Sequence, residues 1–317
     1  MTANYSAAAE ERDGVEVYTL RAPGGATAEV APALGCNCFA YADALPVLEP
    51  IPFNEFRQKP TSYGIPLLFP FPNRVRDGRF TFAGQTYEVN PPRHGFVRDK
   101  PWRVVASGAA AEAGAWVSCD FDAREYPEQI LAQFPFPFRL TVTYRLAGGA
   151  LTMETVAENL GGASMPAGFG IHPYFRKPER GTLTVPAGKR WELAESLPTG
   201  RLLDAAGAYD LRRPRAVGEL QLDDIYTEVA ADADGLTRCM LTDEEAGRET
   251  VVEFDRRQFP HVVVYTPPAP RKAVCVEPNT CPTDAFNLQA RGVESDVLVI
   301  EPGAAARFDV RVYSRAI

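Results

Sequence analysis

Apolar and polar residues alternate with a period of two in short runs along almost the whole chain. The clearest run is Phe138 to Leu146, where Phe138, Leu140, Val142, Tyr144 and Leu146 alternate with Arg139, Thr141, Thr143 and Arg145. Successive side chains of a strand point to opposite faces, so this run predicts a strand with one buried and one wetted face. Gly148-Gly149 tolerates the positive φ angles of a tight turn, and Leu151 to Glu158 reads as the returning arm of a hairpin. Further β-rich runs lie at Val15 to Leu20, Trp102 to Val105, Trp116 to Phe121, Thr250 to Phe254, His261 to Tyr265, Lys272 to Val276, Val297 to Ile300 and Phe308 to Tyr313. Helical spacing over twelve or more residues is hard to find; Ala123 to Phe134 comes nearest and is interrupted by Pro127. The pattern predicts an all-β sandwich of antiparallel strands.

Neither a Pro/Ser linker nor a fixed-period repeat divides the chain, so residues 13 to 317 are expected to form a single domain, with residues 1 to about 12 frayed. Thr199 to Glu219 is polar, Arg-rich and poor in strand pattern, which predicts a long surface excursion.

Composition narrows the function classes. With 317 residues and 45% apolar content, the chain can bury roughly 75% of its unfolded surface and needs no staples. Its 25 glycines and 28 prolines are spread throughout, as many short strands require. Thirty-three basic against 41 acidic residues give a net charge of −8, which disfavours a nucleic-acid partner. The longest apolar runs are strand-length, far below the roughly 20 residues of a membrane helix. The N-terminal MTANYSAAAEERDG is acidic where a signal peptide is basic, and the expected location is cytoplasmic. The six cysteines show no small-scaffold spacing and are expected to be reduced.

Chemistry concentrates in three places. His172 lies in Phe169-Gly170-Ile171-His172-Pro173-Tyr174-Phe175, where aromatic neighbours would hold the ring and shift its pKa by desolvation; from the residue alone, a core histidine satisfied by a backbone carbonyl is the favoured reading. Asn73, Arg74 and His94 occupy two polar clusters flanking a short hairpin and could donate to vicinal hydroxyls, or serve as ordinary turn residues. Glu277 ends an apolar strand before a proline-bearing loop, where burial would raise a carboxyl toward the range of a useful base; pairing with a nearby arginine is the alternative. Cys36-Asn37-Cys38 lacks the second half of a zinc site, and HExxH, GxGxxG, P-loop and GxSxG patterns are missing from the sequence. Acid/base chemistry is what remains.

Five segments in order, Phe69 to Val75, His94 to Arg98 with Trp102, Gly170 to Phe175, Leu222 to Tyr226 and Glu277 to Asn287, resemble the aldose 1-epimerase (galactose mutarotase) family. The resemblance spans most of the chain. It implies a galactose mutarotase-like β-supersandwich with a sugar in an open cleft across one sheet, no cofactor and no metal. It also implies that His172 donates a proton to the ring oxygen, that Glu277 takes one from the anomeric hydroxyl, and that Asn73, Arg74, His94 and Asp223 bind substrate. Asp223 stands three residues before Tyr226, where the family more often has Phe, and Asp224 offers the same role in a register shifted by one.

The expected activity is interconversion of the anomers of a free aldose. A hexose 6-phosphate substrate would need a basic pocket, which Arg76, Arg79, Arg93 and Arg98 could supply, although Asn73-Arg74-Val75 looks more like the free-aldose branch. A non-catalytic carbohydrate sensor would not need both His172 and Glu277. A glycosidase would use Glu277 with Asp223 as its two carboxylates.

Overall fold

A computed structural model describes residues 4–317. Three antiparallel sheets dominate it. A nine-stranded sheet runs Arg215–Ala216, Gly181–Thr184, Leu236–Asp243, Arg248–Asp255, Ala305–Ala316, Ala150–Asn159, Phe138–Ala147, Gly114–Asp122, Arg103–Ala110. An eight-stranded sheet runs Leu197–Asp204, Ala187–Ala194, Asp223–Val229, His261–Tyr265, Ala273–Asn279, Gly170–Ile171, Leu67–Leu68, with Tyr174–Arg176 also paired to Ala273–Asn279. The five-stranded sheet is built from Ser6–Arg12, Val15–Arg21, Thr27–Ala31, Asn37–Asp43 and Leu45–Pro46.

The alternation read in the sequence is the alternation that packs. Phe138, Leu140, Val142, Tyr144 and Leu146 are buried while the residues between them are half-exposed. The hairpin closes through Gly148-Gly149, both at positive φ, with Ala147 opposite Ala150. Core-facing residues of all three sheets, among them Val30, Val142, Val262, Val276 and Val312, join one buried cluster. Each such side chain contributes about 1.5–3 kcal/mol by leaving water. Polar tips tie the sheets together: the Tyr41 hydroxyl donates to the Gly149 carbonyl at 2.5 Å and the Tyr144 hydroxyl to that of Cys36 at 2.8 Å.

Two expectations fail. Residues 1–3 lie outside the described residues, but Ser6–Arg12 is a paired strand, in register with Val15–Arg21 from Ser6↔Arg21 to Arg12↔Val15. Its small and charged residues give no apolar alternation. The pairing comes instead from Asp13-Gly14, both at positive φ, the two-residue turn whose twist matches a hairpin. The expected excursion Thr199 to Glu219 likewise begins as a strand, Leu197–Asp204, at the edge of the eight-stranded sheet. An edge strand has one neighbour and tolerates polar side chains on both faces, which hid it.

Ala123 to Phe134 forms only short turns at Ala123–Glu125 and Pro127–Leu131. Six cysteines among the described residues are free and buried. Among those residues no helix is long and apolar enough to cross a membrane.

Candidate active site

Strands His261–Tyr265 and Ala273–Asn279 are buried almost throughout. Val262, Val264, Val274 and Val276 point into the core, so the intervening residues line the opposite face. Register then dictates which side chains meet there. Asp223 pairs with Tyr265, Tyr265 with Cys275 and Cys275 with Tyr174, giving one row across four strands. The next row on that face holds Ile225, Val263 and Glu277. Gly170 pairs with Asn279 and Tyr174 with Cys275 in one continuous register, which sets His172 opposite Glu277. The His172 backbone donates to the Pro66 carbonyl at 3.0 Å, fixing the break in the strand.

The result is a close pair on the floor of a cleft. His172 Nε2 lies 3.2 Å from Glu277 Oε1, with the two residues only 8% and 2% exposed. The approach meets ion-pair distance but not hydrogen-bond geometry, so Glu277 Oε1 lacks a hydrogen-bond partner among the described residues, and the other ring nitrogen, His172 Nδ1, lacks one as well. Buried polar atoms are nearly always satisfied, and unsatisfied ones in a cleft mark a place for a polar ligand. The His172 ring stacks on Tyr174 at 4.6 Å and meets the rings of His94 and Tyr265 edge-on at 5.6 and 6.1 Å.

Electrostatics follow from burial. Desolvation pushes His172 down to about 3, helped by the charges of Arg98, Arg93 and Arg271. Burial, then the charge of Asp223, holds the Glu277 carboxyl well above the usual carboxylate range. His94 is held well below its ordinary value by burial first, then by His172 and three arginines.

All six residues singled out from the sequence line this cleft of about 210 Å³: Asn73, Arg74, His94, His172, Asp223 and Glu277. Asn73 and His94 both take left-handed backbone angles, φ 58° and 65°, and the His94 N–H donates to the Asn73 carbonyl at 2.6 Å. Such conformations are strained outside glycine and cluster at functional sites. Gly95, also left-handed, packs so tightly that a Cβ there would lie 1.9 Å from the Phe69 carbonyl oxygen. Buried Asp284 steadies the same loop: its backbone N–H donates to the Arg74 carbonyl and its carboxylate accepts from the Arg76 N–H, both at 2.9 Å.

The Asp223/Asp224 ambiguity dissolves in the register. Asp223 shares the cleft face with Tyr265, whereas Asp224 pairs with Val264 on the other face and approaches Arg190 at 3.5 Å. Tyr265, Thr61 and Ser62 also line the cleft and were missed. Tyr265 looks like any strand aromatic, and Thr61 and Ser62 carry no signal beyond a polar turn. Tyr174 stands in the sequence only as an aromatic neighbour of His172. His172, Cys275 and Glu277 bring potential metal-ligand atoms within 4.8 Å of one another, a grouping invisible in sequence. Burial holds the Cys275 thiol well above its usual range, which opposes the thiolate a metal would need.

Comparisons with known proteins bear on the family and the fold. Residues 16–313 match the family model described as aldose 1-epimerase. The uncharacterized protein YihR of Escherichia coli K12 is 24% identical over 265 residues, 78% of each chain. A galactose mutarotase-like protein from Clostridium acetobutylicum superposes with a TM-score of 0.89 at 24% identity, over 99% of both chains. Galactose 1-epimerase from Lactobacillus acidophilus gives a TM-score of 0.76 at 15% identity, over 97% of both. At these identities the structural likenesses establish the galactose mutarotase-like fold.

Proposed function

The chain belongs to the aldose 1-epimerase family, and from that premise we propose that it interconverts the α and β anomers of an aldose by opening and reclosing the ring. Glu277 takes the proton of the C1 hydroxyl as the C1–O1 double bond forms. The C1–O5 bond breaks, and His172 delivers a proton to O5. Rotation about C1–C2 turns the other carbonyl face toward O5, and the same steps in reverse close the other anomer. Protons given and taken balance, so the reaction leaves the pair unchanged.

The observation that carries this reading is the 3.2 Å His172–Glu277 approach on the cleft floor. O1 and O5 are bonded to the same carbon, so an acid and a base that serve both must be near neighbours, each within hydrogen-bond reach of its own oxygen. The pair passes from imidazolium and carboxylate with the ring closed to imidazole and carboxylic acid with the ring open. Burial lowers His172 and raises Glu277, and both shifts favour the neutral forms. The site therefore pulls toward the open sugar, while the strong attraction between opposite charges in a poorly solvated cleft favours reclosure. Each proton-transfer group is worth roughly 10²- to 10⁴-fold. Asn73, Arg74, His94 and Asp223 bind the substrate.

His172→Asn and Glu277→Gln should each remove most anomer exchange while keeping the circular dichroism of the folded protein. Polarimetry of freshly dissolved α-glucose and α-galactose reads this directly; a folded variant working at the parent rate would sink the assignment.

A further inference from the structure

Four arginines were candidates for a basic pocket, and the fold divides them. Arg76 pairs with Asp284 at 3.3 Å and Arg79 with Glu88, so both are neutralised away from the cleft. Arg93 and Arg98 line the cleft beside Arg74. No carboxylate among the described residues lies within 4.0 Å of any of these three, and the one side-chain partner recorded for them is the Asn73 amide oxygen, which accepts from Arg74 at 3.1 Å. By contrast Arg271, behind the Tyr174 ring, is neutralised by Glu49.

The backbone places these charges against one another. Arg74 and Arg93 are directly opposite in an antiparallel bridge, an arrangement that costs stability when both carry the same charge. Arg98 is half-buried, and its desolvation together with the charge of Arg93 works against its guanidinium. The chain as a whole is acidic, at −8, so this wall is a local concentration. The cleft's two carboxyls do not offset it: Asp223 belongs to the wall built by Tyr265 and its neighbours, and Glu277 is held toward its neutral form. Three guanidiniums in one recess, without a carboxylate partner among the described residues, are the fork-shaped donors that recognise a multi-oxygen anion. Space is available for one, since Arg98, Thr61 and Ser62 form a wall shared with a second cavity of about 420 Å³.

We propose that Arg74, Arg93 and Arg98 form an anion subsite, and that the preferred substrate is an aldose carrying an anionic group away from C1. This rests on the anomer-exchange reading above and replaces its neutral aldose with a charged one. Phosphate, sulfonate and carboxylate share the chemistry these guanidiniums recognise, and the substrate panel separates them.

The test measures anomer exchange by NMR for glucose, glucose 6-phosphate, glucose with a 6-sulfonate in place of the hydroxyl, and glucuronate. Calorimetric binding of the same sugars is measured alongside. One anionic sugar should exceed glucose in kcat/KM by about tenfold or more, the scale of one charge-assisted interaction. Arg93→Gln and Arg98→Gln should each shrink that ratio, chiefly through KM; Arg93 is exposed, so its variant is expected to fold. Glucose turning over and binding as well as every anion would overturn the proposal, as would variants that lower all four sugars equally. Tighter binding of an anionic sugar with no acceleration of any sugar would support the subsite and overturn the anomer-exchange reading.

Discussion

Burying a histidine without a charged partner has a thermodynamic signature that can be isolated at His172. Its folded-state pKa is about 3 against an ordinary 6.5, with desolvation as the leading cause. The folded protein therefore binds this proton less readily than the unfolded chain. The stability involved is fully present above the unfolded value and is lost as pH falls from 6.5 toward about 3. At about pH 5 the unfolded chain gains about 2 kcal/mol from protonating this histidine while the folded protein gains almost nothing; the full loss, below both values, approaches about 5 kcal/mol. His172→Asn removes the titration and leaves His94 in place. Urea unfolding at about pH 7.5 and about pH 5 should show the parent losing about 2 kcal/mol more than the variant. Any cavity or packing cost of the substitution is the same at both pH values and cancels in the comparison. Parallel losses in the two proteins would show that His172 is not held neutral by its surroundings, and the electrostatic part of the mechanism would fall with it.

Glu277 carries the opposite sign. Its folded pKa is raised, so the stability it contributes is present below the ordinary 4.5 and lost as pH rises through the folded value. Glu277→Gln should thus unfold at higher urea than the parent in mildly alkaline buffer even though it loses activity; a variant less stable there would contradict the assignment. Asp223→Asn should raise KM for the preferred sugar several-fold, whereas Asp224→Asn should leave KM alone and lower the thermal midpoint by loosening Arg190, which steady-state kinetics and calorimetry on the two variants would separate.

Much of the sheet framework was legible because a half-buried strand must alternate, and Phe138 to Leu146 does so without exception. Strands whose partners supply the order were not legible. Ser6–Arg12 is held by a two-residue turn and Leu197–Asp204 by the one neighbour an edge strand has, and neither needs an apolar stripe. The site shows the same division. His172 and Glu277 stood out as lone polar groups in aromatic and apolar settings, but nothing in either segment says that they touch.

The sequence by itself determined the strand periods, the turn chemistry and the residue types that can move a proton, because these depend on neighbours along the chain. Only the tertiary structure decided that His172 faces Glu277, that Asp223 and not Asp224 reaches the cleft, and that Arg93 and Arg98 find no carboxylate among the described residues while Arg76 and Arg79 do. The reason is physical: each is set by strand register or by which charge lies across a gap, and a shift of one residue would turn the strand-borne Asp223 and Glu277 to the other face.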